Sequence, residues 1–335
     1  MQSPSKLCVA SGSAQPAVSG LHGWADLPDG LLESIIALSG SFQPDLPSNN
    51  GLHELHTFKV IDPTNKNVAL RCQIPRDIYH EMNFVGNSYG QLIFCHREYC
   101  LLVDVFNGAE VSAPPLPFNR DFRGLDFSAT LTAPLASPNS HLLISTVNTL
   151  FDWPVGSESW SELQLHNTCI VQIVEFKGQF IAMDDCCKIY TLQLSPELGL
   201  QKMTYVDLPI TFVDLWLVAC GDMLLMVMKH PSFPKVKYIP YQLDLSTNPA
   251  NWVEVRHLND WALFVGCAVR SRPFSCMSPE RWGGRSNSLY FAGHYSFVLY
   301  GLGIEGDVKL EHKRNWLCKL QPLWVYPSMF YSNSQ

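Results

Sequence analysis

The stretch GQLIFCHREYCLLVDVFNG, Gly90 to Gly108, decides how the chain folds. Leu92-Ile93-Phe94 and Leu101-Leu102-Val103 are two short apolar runs separated by a polar four-residue tip. Branched and aromatic residues favour strands, and a polar tip between two such runs is the pattern of a β-hairpin. Three further stretches repeat it. Phe58-Lys59-Val60-Ile61 precedes Val68-Ala69-Leu70, Phe180-Ile181-Ala182 precedes Ile189-Tyr190-Thr191, and Leu289-Tyr290-Phe291 precedes Phe297-Val298-Leu299-Tyr300. The apolar run Leu215 to Met228 is interrupted by Gly221-Asp222 and is expected to be two buried strands around a tight turn.

Between the hairpins comes a second element, an aromatic just ahead of a short strand: Trp160, Tyr205 and Trp252. Hairpin, loop and aromatic-led strand recurring every 40 to 50 residues or so is the sequence pattern of propeller blades. At about 40–45 residues per blade, the span from His53 to Met329 predicts an all-β propeller of six or seven blades. A β-sandwich uses similar strands, but this length would need two domains, and no linker divides the middle of the chain. Trp153, Trp160, Trp216, Trp252, Trp261, Trp282, Trp316 and Trp324 are expected to pack between blades.

Composition narrows the function classes. Of 335 residues, 47% are hydrophobic and 16% charged, enough apolar material for a packed core. The net charge of −7, with one small basic cluster at Lys309, His312, Lys313 and Arg314, argues against nucleic acid as a partner. The first residues lack the apolar core of a signal peptide, and no apolar run is long enough to cross a bilayer as a helix. Eleven cysteines, an odd number without a C-x-x-C pair, fit a reducing compartment. The expectation is a soluble protein of the cytoplasm or nucleus.

Candidate chemistry is sparse. Gly86-Asn87-Ser88-Tyr89-Gly90 matches the G-x-S-x-G nucleophile elbow, which would make Ser88 a hydrolase nucleophile. That motif needs a following helix, whereas a hairpin follows here, so a glycine-rich turn is the expected reading. His53-Glu54-Leu55-His56 lacks a third ligand, and neither Cys95/Cys100 nor Cys186-Cys187 has a closing second pair. Asp184-Asp185 at a hairpin tip are ordinary turn formers. No catalytic residue, cofactor or metal is assigned.

The N-terminal stretch WADLPDGLLESIIALSG, Trp24 to Gly40, has a different pattern. Pro28 suits a first helical turn, Asp26 and Asp29 its positive end, and Leu31, Leu32, Ile35, Ile36 and Leu38 make an apolar stripe that stops at Gly40. A helix of about eleven residues is predicted. It is marginal alone, and Gly30 costs it roughly a further 1 kcal/mol, so its stripe must pack on something.

Here residues carry a family resemblance. Trp24-x-x-Leu27-Pro28-x-x-Leu31-Leu32-x-x-Ile35 resembles the first half of an F-box, the segment that docks on the Skp-family adaptor of a cullin–RING ubiquitin ligase. The body resembles a plant family, the KIB-type β-propeller found downstream of F-boxes and formerly a domain of unknown function. GNSYGQLIF (86–94), DVFNGAEVSAPPLP (104–117), NWVEVRHLNDWALFVG (251–266), NSLYFAG (287–293) and LWVYPSM (323–329) carry it. The resemblance implies a non-enzymatic substrate-recognition subunit whose propeller binds an unknown target protein. Trp24, Leu27, Pro28, Leu31, Leu32 and Ile35 would contact the adaptor. An F-box continues with a second apolar helix, and ALSGSFQPDLPSNNGLHELHTF does not supply one. The organisation expected is a disordered stretch 1–22, a partial F-box-like helix 23–40, a linker 41–52 and a propeller 53–330. A stand-alone protein-binding propeller is the alternative.

Overall fold

A computed structural model describes residues 36–40, 55–61, 69–75, 82–105, 108–117, 128–166, 168–206, 214–231, 236–266, 271–282, 284–293, 297–302, 308–310 and 323–325. The strands β1 (Ile36–Gly40), β2 (Leu55–Ile61) and β3 (Ala69–Pro75) open it. Next come β4 (Asn83–Ser88), β5 (Gln91–His96), β6 (Tyr99–Asp104) and β7 (Glu110–Ser112), then β8 (Ser128–Leu131), β9 (His141–Ser145), β10 (Thr149–Pro154) and β11 (Ser161–Gln164). The strands β12 (Ile170–Phe176), β13 (Gln179–Asp184), β14 (Ile189–Gln193) and β15 (Gly199–Lys202) precede β16 (Leu215–Cys220), β17 (Met223–Pro231), β18 (Val236–Asp244) and β19 (Asn251–Glu254). Last are β20 (Trp261–Gly266), β21 (Phe274–Met277), β22 (Ser288–Ala292), β23 (Phe297–Gly301), β24 (Val308–Leu310) and β25 (Leu323–Val325).

β4–β7, β8–β11, β12–β15 and β16–β19 each form a four-stranded antiparallel sheet in chain order. A fifth such sheet joins the two ends of the chain, in the order β25-β1-β2-β3. The remaining sheet, β21-β20-β22-β23-β24, has five strands and a parallel pair, β20 with β22. Neighbouring sheets meet at their inner strands, β4 with β8, β8 with β12, β12 with β16, β16 with β21, and β20 with β25. This is an all-β propeller.

Two expectations are corrected. Five regular four-stranded blades, with one mixed five-stranded sheet beside them, replace the six or seven blades expected. The additional hairpin β20–β21 takes up chain that uniform spacing assigns to another blade. Residues 36–40, expected as the end of a helix, are a strand with ladder partners on both edges, β2 on one and β25 on the other. Hydrogen bonds on two edges outcompete a short helix that is marginal by itself.

The hairpins of the sequence reading are present and in register. Leu92, Ile93 and Phe94 face Val103, Leu102 and Leu101, and Gly221-Asp222 joins β16 to β17. Tyr89-Gly90 and Lys177-Gly178 close two-residue turns with both central residues at positive φ, the conformation that matches strand twist. Tyr205 departs from the expected pattern. It forms an isolated bridge with Ala250 and packs edge-on against Trp252, 6.1 Å between centroids.

The core is a series of slabs between consecutive sheets. Ile93, Leu102 and Leu142 fill one, Leu150, Ile173 and Leu192 the next, and Val174, Leu217 and Met226 a third. Val218, Leu263 and Leu289 form a fourth, and Phe264, Tyr290 and Trp324 seal the junction where the chain ends meet. Phe264 is stacked between Phe274 and Tyr290 at 5.0 and 4.6 Å, with Trp324 edge-on at 5.3 Å. Each such side chain, fully buried, contributes roughly 1.5–3 kcal/mol.

Candidate functional site

In a propeller the places available for function are the axis, lined by inner strands, and the loop rims at either end. Here the inner strands are tied to one another by polar groups. Ser88 Oγ and Thr130 Oγ1 are 2.8 Å apart between β4 and β8, and Ser128 Oγ donates to Val171 O at 3.0 Å, reaching β12. Gln172 receives the Leu217 N–H at 2.6 Å and donates to Leu215 O at 3.3 Å, linking β12 to β16. Ser275 Oγ donates to Ala219 O at 2.8 Å, and Trp324 Nε1 donates to Val265 O at 3.0 Å. Asn87 Nδ2 donates to Trp324 O at 2.9 Å, so the belt returns to β4. Small hydroxyls and amides at inner positions thus satisfy backbone groups of the next blade, which burial would otherwise leave unpaired.

Bulges set this belt. β4 slips register between Phe84 and Gly86, and β12 between Ile170 and Gln172. An extra residue re-aims the side chains that follow it, here Asn87 and Gln172. The sheets approach so closely at Gly86 that a Cβ there would lie 2.0 Å from Ala129 O.

One further segment of the chain reaches across from the sheet β20–β24 to β4 and β8. Ser271 pairs with Asn87 across the ring and is almost wholly buried, and Pro273 is buried beside it. Arg272 donates through its two terminal nitrogens to Leu131 O at 3.1 Å and Tyr89 Oη at 3.2 Å. Its guanidinium carbon lies 4.4 Å from the centre of the Tyr89 ring, a cation–π contact. Tyr89 in turn donates to Thr132 O at 3.0 Å. Arg272, whose planar fork reaches two acceptors at once, clamps the plug onto β4 and β8.

The sequence candidates separate against this frame. Ser88 lies between antiparallel strands, buried and bonded to Thr130, without the following helix a nucleophile elbow requires. Asp184, Asp185 and Cys186 have ligand atoms within 4.8 Å of one another. Yet Asp184 already accepts from Lys188 N at 2.7 Å and Tyr190 Oη at 2.8 Å, so it shapes the turn. Burial, then the Asp184 carboxylate, raises the neighbouring Cys187 thiol to about 11, and burial with the Asp184 bond raises Tyr190 to about 12. Both groups stay protonated and neutral at ordinary pH. Of the tryptophans, Trp153 and Trp160 pack together at 6.0 Å, Trp216 Nε1 donates to Gly266 O at 2.8 Å, and Trp324 closes the ring. Trp24, Leu27, Pro28, Leu31, Leu32 and Ile35 lie outside the described residues, as do His53, Glu54 and Trp316.

Two features escaped the sequence reading. The plug Ser271-Arg272-Pro273 has no periodicity to mark it. The other is His141 Nδ1 at 2.8 Å from Asp152 Oδ1, a pair on adjacent strands β9 and β10. Burial pushes the Asp152 carboxyl up by more than the His141 contact pulls it down. Beside it, Ser140 Oγ donates to Ala133 O at 2.9 Å, so that hydroxyl is already committed.

Val147, Val206 and Leu245 are large apolar side chains exposed on turns and connections, and Tyr99 and Met277 are exposed at strand ends. The sequence profile of the KIB1-4 beta-propeller matches residues 58–317. The chain belongs to the KIB1-4 beta-propeller family. This is a protein-binding fold. No curated protein matches the chain. Among solved structures it is similar to apo AztD from Citrobacter koseri, with 15% identity and a TM-score of 0.37 over 72% of this chain and 60% of that one. It is also similar to a chain in the S. cerevisiae structure of dbp5 bound to nup159, gle1, IP6 and ADP, with 12% identity and a TM-score of 0.35 over 67% of each. A third is the extracellular domain of the putative hybrid two-component system BT4673 from B. thetaiotaomicron, with 11% identity and a TM-score of 0.37 over 86% of this chain and 34% of that one. The chain therefore spans less than two thirds of the length of AztD. Among the described residues, no helix is long and apolar enough to cross a membrane.

Proposed function

We propose that this KIB1-4 propeller is a target-recognition subunit of a cullin–RING ubiquitin ligase. It holds another protein on its loop rims, while Trp24, Leu27, Pro28, Leu31, Leu32 and Ile35 contact a Skp-family adaptor. The observation that supports rim recognition is the inward segment Ser271-Arg272-Pro273: it bonds to β4 and β8 and takes up space on the inner side of the ring that a small ligand would otherwise need. The F-box-like sequence Trp24 to Ile35 supports the adaptor contact.

A second reading is a stand-alone protein-binding propeller. It is favoured by β1, which begins at Ile36 and draws the residues that follow the F-box-like pattern into the sheet. Co-purification of the full chain with a purified Skp-family adaptor separates the two. Under the ligase reading the intact protein retains the adaptor and a Leu31→Asp, Leu32→Asp double variant loses it. Equal retention, or none by either, removes the adaptor role and leaves the stand-alone propeller.

A further inference from the structure

The hairpin from β5 to β6 places Cys95 directly opposite Cys100, with their Sγ atoms 2.8 Å apart. The backbone explains the closeness. The carbonyl of Cys100 accepts from Ala113 N at 3.0 Å, on the side away from β5. Toward β5 the two cysteines are therefore a non-hydrogen-bonded pair, the kind whose Cα atoms approach to about 4.5 Å. That separation falls within the roughly 4.4–6.8 Å a disulfide needs. Both thiols are free and buried in the slab between β4–β7 and β8–β11. The tip just beyond is open to solvent, with Arg97 exposed and Tyr99 57% accessible. Opening of these few residues is enough to admit a small oxidant.

We propose that Cys95 and Cys100 are an oxidation site at which a hydroperoxide closes the hairpin tip into a cross-strand disulfide. One sulfur attacks the peroxide oxygen, the O–O bond breaks, and water or an alcohol departs, leaving a sulfenic acid. The second sulfur attacks that sulfenic sulfur, the S–O bond breaks, and the hydroxyl leaves as water with the second thiol's proton. In sum, two thiols and one hydroperoxide give a disulfide, one alcohol or water, and one further water. Burial, reinforced by Cys100, holds the Cys95 thiol well above its ordinary range. The thiolate is scarce, so the pair persists as a dithiol under reducing conditions and closes slowly. The closed form would pin Tyr99 at the rim.

The sequence supplies a clean assay, because Arg97 lies between the two cysteines. The full-length native protein is treated with hydrogen peroxide, its free thiols are alkylated after unfolding, and it is digested with trypsin without reductant. The expected result is the peptides 77–97 and 98–120 joined, two hydrogens lighter than their sum, and separated by reductant. The fully buried Cys220 should stay reduced and alkylated. Cys100→Ala should abolish the linkage while the propeller's circular dichroism is kept. The proposal is overturned if Cys95 and Cys100 are recovered alkylated, as separate sulfinic acids, or joined to other cysteines. It also falls if urea-unfolded chain forms the same linkage as fast as native protein, since nearness in sequence would then suffice.

Discussion

The sheet β8–β11 and the sheet β20–β24 occupy equivalent places in the ring and use their chain differently. In β8–β11 four antiparallel strands follow one another, and the inner strand presents Ser128 and Thr130 to its neighbours while Ala129 and Leu131 are buried. In β20–β24 a hairpin is inserted ahead of the outer three strands. β20 lies parallel to β22, and β21 becomes the innermost strand. The segment leading into β21 reaches β4 and β8 through Asn87, Leu131 and Tyr89. A repeated blade needs only apolar alternation and a few small polar groups; tying sheets together across the inner side of the ring needs an element that is not repeated.

The largest effect should come where the regular blades touch most closely. A Cβ at Gly86 meets Ala129 O, a backbone atom that cannot swing aside. Gly86→Ala should cost about 3 kcal/mol or more in urea unfolding, the upper end of the cost of overpacking, because the atom it meets is backbone. Gly199→Ala, with open space around it and an ordinary φ, should gain up to about 1 kcal/mol. Equal effects of the two substitutions would break the contrast between inner and outer strands.

A smaller effect is expected at the clamp. Arg272→Met keeps the stem and removes two hydrogen bonds and the cation–π contact, a loss of about 1–3 kcal/mol. Combined with Tyr89→Phe, the double-mutant cycle should show a coupling of at least about 0.5 kcal/mol. Strict additivity would mean that Arg272 does not hold the plug through Tyr89.

The smallest effect is a pH dependence carried by two thiols of the regular sheets, one of them beside β21. Burial raises Cys220, on β16 beside β21, to about 12, although Ser275 pulls the other way. Cys187, in the regular blade β12–β15, is raised to about 11. These thiols keep their protons in the folded protein at pH values where the unfolded chain, with cysteines near 9.0, loses them. Unfolding then releases protons, so their contribution is fully present below about pH 9 and is lost as pH rises toward 11–12. The urea midpoint should fall between pH 8 and pH 10; a flat or rising midpoint would show that both thiols ionise normally in the fold.

The repeated part of this contrast was legible in the residues. Ile93 opposite Leu102 and the Gly221-Asp222 turn follow from short apolar runs and turn chemistry, and so does the propeller class. The unrepeated part was not. Ser271-Arg272-Pro273 has neither alternation nor an apolar run, and its partners lie more than a hundred residues away at Asn87 and Leu131. Ile36 to Gly40 carried a helical stripe, yet its conformation is decided by β25, which arrives from the far end of the chain. Of the candidate site, the sequence read Ser88 and the Asp184 turn as ordinary turn residues; in the fold Ser88 bonds to Thr130 and Asp184 accepts from Lys188 N. It could not show that residues 271–273 reach β4 and β8, because that contact depends on which strands become neighbours in the ring.

The place of β21 as a laddered inner strand is tested most directly by amide hydrogen exchange, followed by mass spectrometry on the full chain. In this account residues 274–277 exchange as slowly as the inner strand 128–131, because each is laddered to a buried neighbouring strand, β20 and β9. Exchange of 274–277 on the timescale of the exposed turn at 245–249 would show that β21 is not held in the ring and would contradict the account.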